Sequence, residues 1–300
     1  MIRLDDTTGN AVAAAIASQR HKMGSPAVGM VLTLLVMADE ESQADAVAAA
    51  TAAAREHPMR ILVLIPRPGG RHVETRLDAE ISVGGDDGPG EVAVLRLRGE
   101  LAGHAGSVAI PLLLPDTPVV AWWPARTPAV PYEDPIGSHA QRRITDAAAL
   151  EDPMAALIER RDGYRPGDTD LAWTRLTPWR SMLAAALDQP TGPILAAEVA
   201  VQDGSASGPL LASWLSQRLG VTCTMTTSAG PGITGVRLTT AEGDVALTRP
   251  DGRVAQLSRP GQPPSTVALP RRSLAELLAE ELRRLDPDET YAQALEGVQG

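Results

Sequence analysis

Two nearly unbroken apolar runs, VGMVLTLLVMAD (Val28–Asp39) and MRILVLIP (Met59–Pro66), flank EESQADAVAAATAAAREHP. An apolar run of strand length suits a strand covered on both faces, as in a parallel sheet. The intervening segment is acidic at its start and stopped by Pro58, which reads as a helix. Strand, helix and strand in that order form the unit that pairs two strands in parallel through a crossover. No other feature of the chain narrows the fold as much.

The rest of the first half extends this sheet. HVETRLDAEISV (His72–Val83) and EVAVLRLRG (Glu91–Gly99) alternate with strand period, with Gly-Asp-Asp-Gly between them as a turn. A helix-length segment around His104–Leu113 leads into LLLPDTPVVAWWP (Leu112–Pro124). Successive strand side chains point to opposite faces, so Trp122 and Trp123 are not expected to share one core. One packs inward, and the other meets a second layer, a second domain or a partner. PARTPAVPYEDPIGSHAQ then reads as a long ordered loop or linker, followed by a short strand in RRITDAAAL. PMAALIERRDG reads as a helix starting at Asp152-Pro153, where proline is favourable.

About 150 residues per domain gives two domains for 300 residues. The boundary is expected in GYRPGDTD, giving an N-terminal α/β domain at 1–165 and a C-terminal α/β domain at 166–300. The second half offers a helical segment broken near Pro178, the strand GPILAAEVAVQ and the helix SASGPLLASWLSQRLG stopped by Gly220. The strand VTCTMTTS follows, then a meander from Gly235 with turns at Glu242-Gly243-Asp244 and Asp251-Gly252. SLAELLAEELRRL (Ser273–Leu285) is the clearest amphipathic helix, and YAQALEG ends the pattern as a short one. The expected fold class is therefore α/β in two domains: an open, mixed, partly parallel sheet with helices, then an α/β domain carrying an antiparallel meander.

A net charge of −10 argues against a broad phosphate-backbone binder, so no nucleic-acid partner is expected. Cys223 is the single cysteine, which excludes an internal disulfide and a multi-thiolate zinc site. The longest apolar run, Ala27–Ala38, is about half of the ~20 residues a membrane helix needs. The N-terminal segment does not look like a signal peptide. A cytoplasmic chain with no membrane partner is expected.

Lys22 is the only lysine, and there is no phosphate-cradling G-x-x-x-x-G-K-[ST], no G-x-S-x-G and no H-E-x-x-H. The histidines at 21, 57, 72, 104 and 139 are widely separated, so no metal, cofactor or catalytic residue is expected. GPGITG (Gly230–Gly235) matches the dinucleotide fingerprint by letter. That fingerprint needs a helix to start inside the motif, whereas VRLTTAEGDVAL follows with strand period. A hairpin connection between strands is the better reading.

LAWTRLTPWR pairs Trp173 with Arg175 and Trp179 with Arg180. Trp and Arg are enriched at interface centres, so an interdomain seam, a partner surface and an anion pocket all remain open. RRITD makes Arg142 and Arg143 a possible anion-binding pair, with a surface salt bridge to Asp146 as the plainer alternative. REHPMR at a helix-to-strand corner is given a structural role.

HPMRILVL, LLLPDTPVVAWWP, RRITDAA and DLAWTRLTPWR occur here in an order and spacing that resemble the glucose-6-phosphate dehydrogenase assembly protein family, OpcA. The resemblance implies a non-catalytic partner that binds glucose-6-phosphate dehydrogenase and promotes its oligomeric assembly or activation. It makes Trp122, Trp123, Trp173, Arg175, Trp179 and Arg180 candidates for exposed anchors on the partner-facing surface. The photosynthetic branch of that family uses cysteines for redox control, and a lone Cys223 departs from that pattern. The alternative is a sugar-phosphate-binding enzyme or sensor in which Arg142, Arg143, Arg175 and Arg180 converge on one pocket.

Overall fold

The computed structural model describes residues 1–22, 29–69, 74–84, 90–189 and 192–299. The expected Gly85–Gly88 turn and His72 lie outside the described residues. The chain forms two compact units and passes between them repeatedly. Met1–Asp146, Gly167–Thr169 and Leu274–Pro287 make the first; Ala147–Pro166, Asp170–Ser273 and Asp288–Gly300 make the second.

The first unit is built on eight strands: β1 (Ile2–Leu4), β2 (Leu32–Met37), β3 (Met59–Arg67), β4 (Arg76–Val83), β5 (Glu91–Arg98), β6 (Val119–Trp122), β7 (Arg142–Thr145) and β8 (Asp168–Asp170). Their order in the sheet is β1-β4-β5-β3-β2-β6-β7-β8. The two apolar runs pair in parallel, with Leu34 opposite Ile61 and Val36 opposite Val63. β5, β6 and β7 continue the parallel pairing, while β4 and β1 close one edge antiparallel. Helix α1 (Gly9–Lys22) packs on β4, and helix α2 (Gln43–Ala53) is the crossover between β2 and β3.

The alanines of α2 at 46, 49, 50 and 53 form its buried face. Their spacing of three and four residues makes one stripe, small enough for close approach. The His104–Leu113 segment is shorter as a helix than expected: α3 covers Ala105–Ala109, between 3₁₀ turns at Gly99–His104 and Ile110–Leu112. Pro111 lacks the amide that another α-turn requires.

Trp123 supplies much of the bulk in the core cluster formed with Leu35, Leu62, Leu95, Ile136 and Ala140. The proline-rich stretch after it is an ordered lid on this cluster, with two 3₁₀ turns at Pro131–Glu133 and Gly137–His139. Asp134 braces it by accepting from the Ile136 amide at 2.8 Å.

The second unit has its own core and a six-stranded sheet. Helices α4 (Pro153–Asp162), α5 (Leu171–Thr174) and α6 (Thr177–Leu187) precede strand β9 (Ile194–Gln202) and helix α7 (Ser207–Leu219). Strands β10 (Cys223–Ser228), β11 (Ile233–Thr240), β12 (Gly243–Thr248), β13 (Val254–Arg259) and β14 (Gln262–Ala268) follow. Helix α8 (Leu274–Glu281) belongs to the first unit, where it packs on α2, and α9 (Glu289–Glu296) belongs to the second.

Asp152 caps α4 by accepting from the Met154 and Ala155 amides, with Pro153 at the first turn. Gly220 ends α7 in the left-handed conformation at φ 66°. The sheet order is β10-β9-β11-β12-β13-β14. β9, α7 and β10 form a second parallel crossover, and β11 to β14 form the antiparallel meander. Gly230–Gly232 is therefore not the hairpin expected from sequence. β10 and β11 flank β9 on opposite sides, so this turn carries the chain past the end of β9.

A Cβ on Gly137 would lie 1.8 Å from the Pro131 carbonyl oxygen and 3.1 Å from Trp123 Cη2. Gly137→Ala is expected to destabilise by at least ~1–3 kcal/mol, the usual range for overpacking. Trp123→Ala is expected to cost ~3–5 kcal/mol by leaving a cavity. Urea unfolding followed by circular dichroism checks both, and an unchanged midpoint for Gly137→Ala would contradict this account of the lid.

Candidate functional site

Arg142 and Arg143 are not presented together to solvent. They are neighbours on β7, so their side chains leave opposite faces, and both are buried at 4% and 2% exposure. Arg142 is paired with Glu281 of α8, and its Nη1 also donates to the Asp286 carbonyl at 2.8 Å. Arg143 is paired with Asp168 of β8, donates to the Ala140 carbonyl at 2.7 Å and lies 5.2 Å from the Tyr132 ring centroid. Each guanidinium is already held by a carboxylate that is itself enclosed. These buried pairs reach 139 and 25 residues along the chain. REHPMR does have a structural role, since buried Arg60 donates to Glu91 at 2.7 Å and to the Leu112 carbonyl at 2.6 Å.

The tryptophans also depart from expectation. Trp122 and Trp123 are both buried, at 0% and 2%, and the Trp122 indole nitrogen has no hydrogen-bond partner. Neither presents a face to solvent. Trp173 and Trp179, at 1% and 2%, are likewise not exposed anchors. They instead form walls that fix arginines. Asp170 nucleates this corner by accepting from the amides of Ala172 at 2.8 Å and Ala147 at 2.9 Å. Trp173 donates its indole N–H to Asp288 at 2.8 Å and packs on Tyr291. Arg180 lies over the Trp173 ring, 3.7 Å from its centroid, while remaining half-buried. Its guanidinium is thus oriented by the ring, with the Nε atom buried.

Beside this corner the second unit contains a cleft of about 240 Å³. Arg175, Arg249, Arg271 and Arg272 line it, with Trp179 and the Gln202–Ser205 loop. Of the sequence candidates, Arg175 and Trp179 meet here, Arg180 sits over Trp173, and Arg142 and Arg143 belong to the other unit. The four arginines proposed from sequence are thus divided between the two units, two in each.

Sequence reading missed Arg249, Arg271 and Arg272. Arg249 directly follows β12 and the other two follow β14, positions where a strand delivers a side chain into a loop cluster. Burial and the charge of Arg271 both push the Arg249 guanidinium below its ordinary pKa. The glycine motif contributes a wall through Gly232 and Ile233, with the Gly232 amide donating to Gln202 at 2.9 Å. A strand follows that motif, so it offers no helix N-terminus to a pyrophosphate.

Among the described residues, no group of three or more His, Cys, Asp or Glu has the geometry to hold a metal ion. Burial and then the charge of Glu198 push the Cys223 thiol up to about 11.

Two family models match consecutive parts of the chain. Residues 50–162 match the glucose-6-phosphate dehydrogenase subunit N-terminal domain, and residues 166–295 match the corresponding C-terminal domain. A Synechocystis sp. protein provisionally named OxPP cycle protein OpcA is 31% identical over 104 residues, or 33% of this chain. That match spans 22% of the relative's own length. Among solved structures, the 3-ketoreductase KijD10 of Actinomadura kijaniata aligns over 90% of this chain and 95% of its own, at 12% identity and a TM-score of 0.49. An inositol dehydrogenase homologue of Azotobacter vinelandii aligns over 92% and 94%, at 10% identity and a TM-score of 0.43.

Removing one member of a buried ion pair leaves the other charge unpaired, at a cost of ~3–5 kcal/mol. Arg143→Ala is expected to lose that much in urea unfolding, and Arg143→Met combined with Asp168→Leu is expected to recover most of it. For Cys223, the raised pKa leaves on the order of one thiol in a thousand ionised at pH 8. Alkylation by iodoacetamide is expected to run about 100-fold slower than for free cysteine. Labelling at the free-cysteine rate would show that the thiol is not shielded.

Proposed function

We propose that this chain, which belongs to the OpcA family of glucose-6-phosphate dehydrogenase assembly proteins, acts as a non-catalytic partner of that dehydrogenase and favours its active oligomer. The observation that carries this reading is the consecutive match of both family domains between residues 50 and 295. Binding one conformation or oligomer of the enzyme more tightly than another raises that form's occupancy. A tenfold effect needs only about 1.4 kcal/mol of differential affinity. Flux into the oxidative pentose phosphate pathway would then follow the concentration of this protein in the cytoplasm.

Arg180 and Arg175, at the corner between α5 and α6, are the partner contacts this reading favours. Both are half-buried, and Arg180 is held by an indole beneath it. A guanidinium oriented before contact loses less side-chain freedom on binding, which suits it to an interface centre. Trp173 supports Arg180 from beneath, and the buried Trp122, Trp123 and Trp179 are not offered as contacts in this reading. Among the described residues no helix is long and apolar enough to cross a membrane, and the reading needs none.

Adding the purified chain to its cognate dehydrogenase is expected to raise the activity and to produce a co-eluting complex on a sizing column. Arg180→Ala is expected to weaken activation about tenfold, the loss of one charge-assisted contact, with an unchanged unfolding midpoint. Trp173→Ala is a poor probe because it empties a core position. Indifference of the dehydrogenase to the chain, or turnover of a sugar phosphate by the chain alone, would end this reading.

A further inference from the structure

Arg249 is 6% exposed, and no carboxylate pairs with it among the described residues. Its Nη1 and Nη2 donate to the carbonyls of Leu269 at 2.9 Å and Ile233 at 3.0 Å, and its Nε has no partner. Its flat face covers the Trp179 ring at 4.8 Å. An enclosed charge held only by neutral acceptors is costly unless a counter-charge arrives. Arg271, on the same cleft, also lacks a carboxylate partner among the described residues, and its backbone is fixed by donation to the Gly252 carbonyl at 3.0 Å. Burial first, and then the charge of Arg271, depress the pKa of Arg249, with Asp251 opposing the shift.

The position of the cleft in the fold points the same way. Gln202–Ser205 is the connection at the C-terminal end of β9, leading into α7 within a parallel crossover. Ligands of open α/β sheets bind at such strand ends. Ser205 in the loop and Ser207 at the start of α7 line the cleft. Arg249 and Arg271 bring two guanidinia to the cleft wall, which Asp203 also lines, and Asp251 lies near enough to Arg249 to favour its charged form without pairing with it.

We propose that this cleft binds the phosphoryl group of a small phosphate monoester, with Arg249 and Arg271 as its principal ligands. A carboxylate offers two oxygens and one charge. A phosphoryl group offers three acceptor oxygens and close to two charges, which matches this surplus of donors. The site would make the chain a receptor for phosphorylated metabolite, independently of whether it assembles a dehydrogenase.

Calorimetric titration of the isolated chain, with no dehydrogenase present, tests this directly. The probes are a hexose 6-phosphate, inorganic phosphate and the free hexose, in low salt. The hexose phosphate is expected to bind once per chain, more weakly as salt rises, and the free hexose not at all. Arg271→Gln, at an exposed position, is expected to weaken binding at least tenfold, while Arg237→Gln, on a strand outside the cleft, leaves it unchanged. Arg249→Gln is expected to abolish the thermal stabilisation that phosphate confers, and Arg271→Gln decides alone if that variant does not fold. Tighter binding of the ester assigns the ligand to a phosphorylated metabolite, and equal binding of inorganic phosphate assigns it to free phosphate; both support the site. No heat from either phosphate at millimolar concentration, or full affinity in Arg271→Gln, overturns it.

Discussion

Two adjacent guanidiniums on β7 determine how distant pieces of this chain come together in the first unit. Arg142 engages Glu281, and Arg143 engages Asp168, from opposite faces of one strand. The segments those carboxylates occupy, Leu274–Pro287 and Gly167–Thr169, are the two that rejoin the first unit after the chain has left it. A buried pair of this kind adds little net stability beyond an apolar contact of the same size. Its effect lies in the cost of the alternatives, because every other arrangement leaves a charge enclosed without a partner. The two pairs therefore favour the observed placement of both returning segments against β7.

Aromatic side chains serve arginines in the second unit as well. Arg180 lies on Trp173 and Arg249 on Trp179, so two of the five tryptophans are platforms that orient positive charge. The consequences differ with burial. Arg180 stays half-buried and oriented, suited to meeting a partner protein, whereas Arg249 is enclosed at the wall of a cleft and lacks a counter-ion. One motif, LAWTRLTPWR, thus contributes to two surfaces with different chemistry.

The β2–α2–β3 crossover, the β4–β5 antiparallel pair, the β11–β14 meander and the caps at Asp152 and Gly220 were legible in the sequence. Each rests on local physics: apolar runs, period-two alternation, a proline at the first helical turn and a glycine at the left-handed position. The family was legible too, because its motifs are short strings of rare residues at fixed spacing. Exposure was not. The rule that successive strand residues face opposite ways holds at Trp122 and Trp123, yet both faces are covered, so neither indole reaches solvent. Only one side of a strand needs to be exposed for that rule to imply an exposed residue, and a strand inside a sheet covered on both faces has no such side.

The sequence by itself determined the α/β class, the elements and the absence of familiar nucleotide and metal motifs, because those follow from periodicity and from residue types within a few positions of one another. Only the tertiary structure decided which arginines are paired and which are not. Glu281 lies 139 residues from Arg142, and Arg249 and Arg271 meet Trp179 and the β9–α7 loop only when the meander folds back. Whether a guanidinium is neutralised depends on the carboxylates within a few ångströms of it, and the chain alone does not fix those distances.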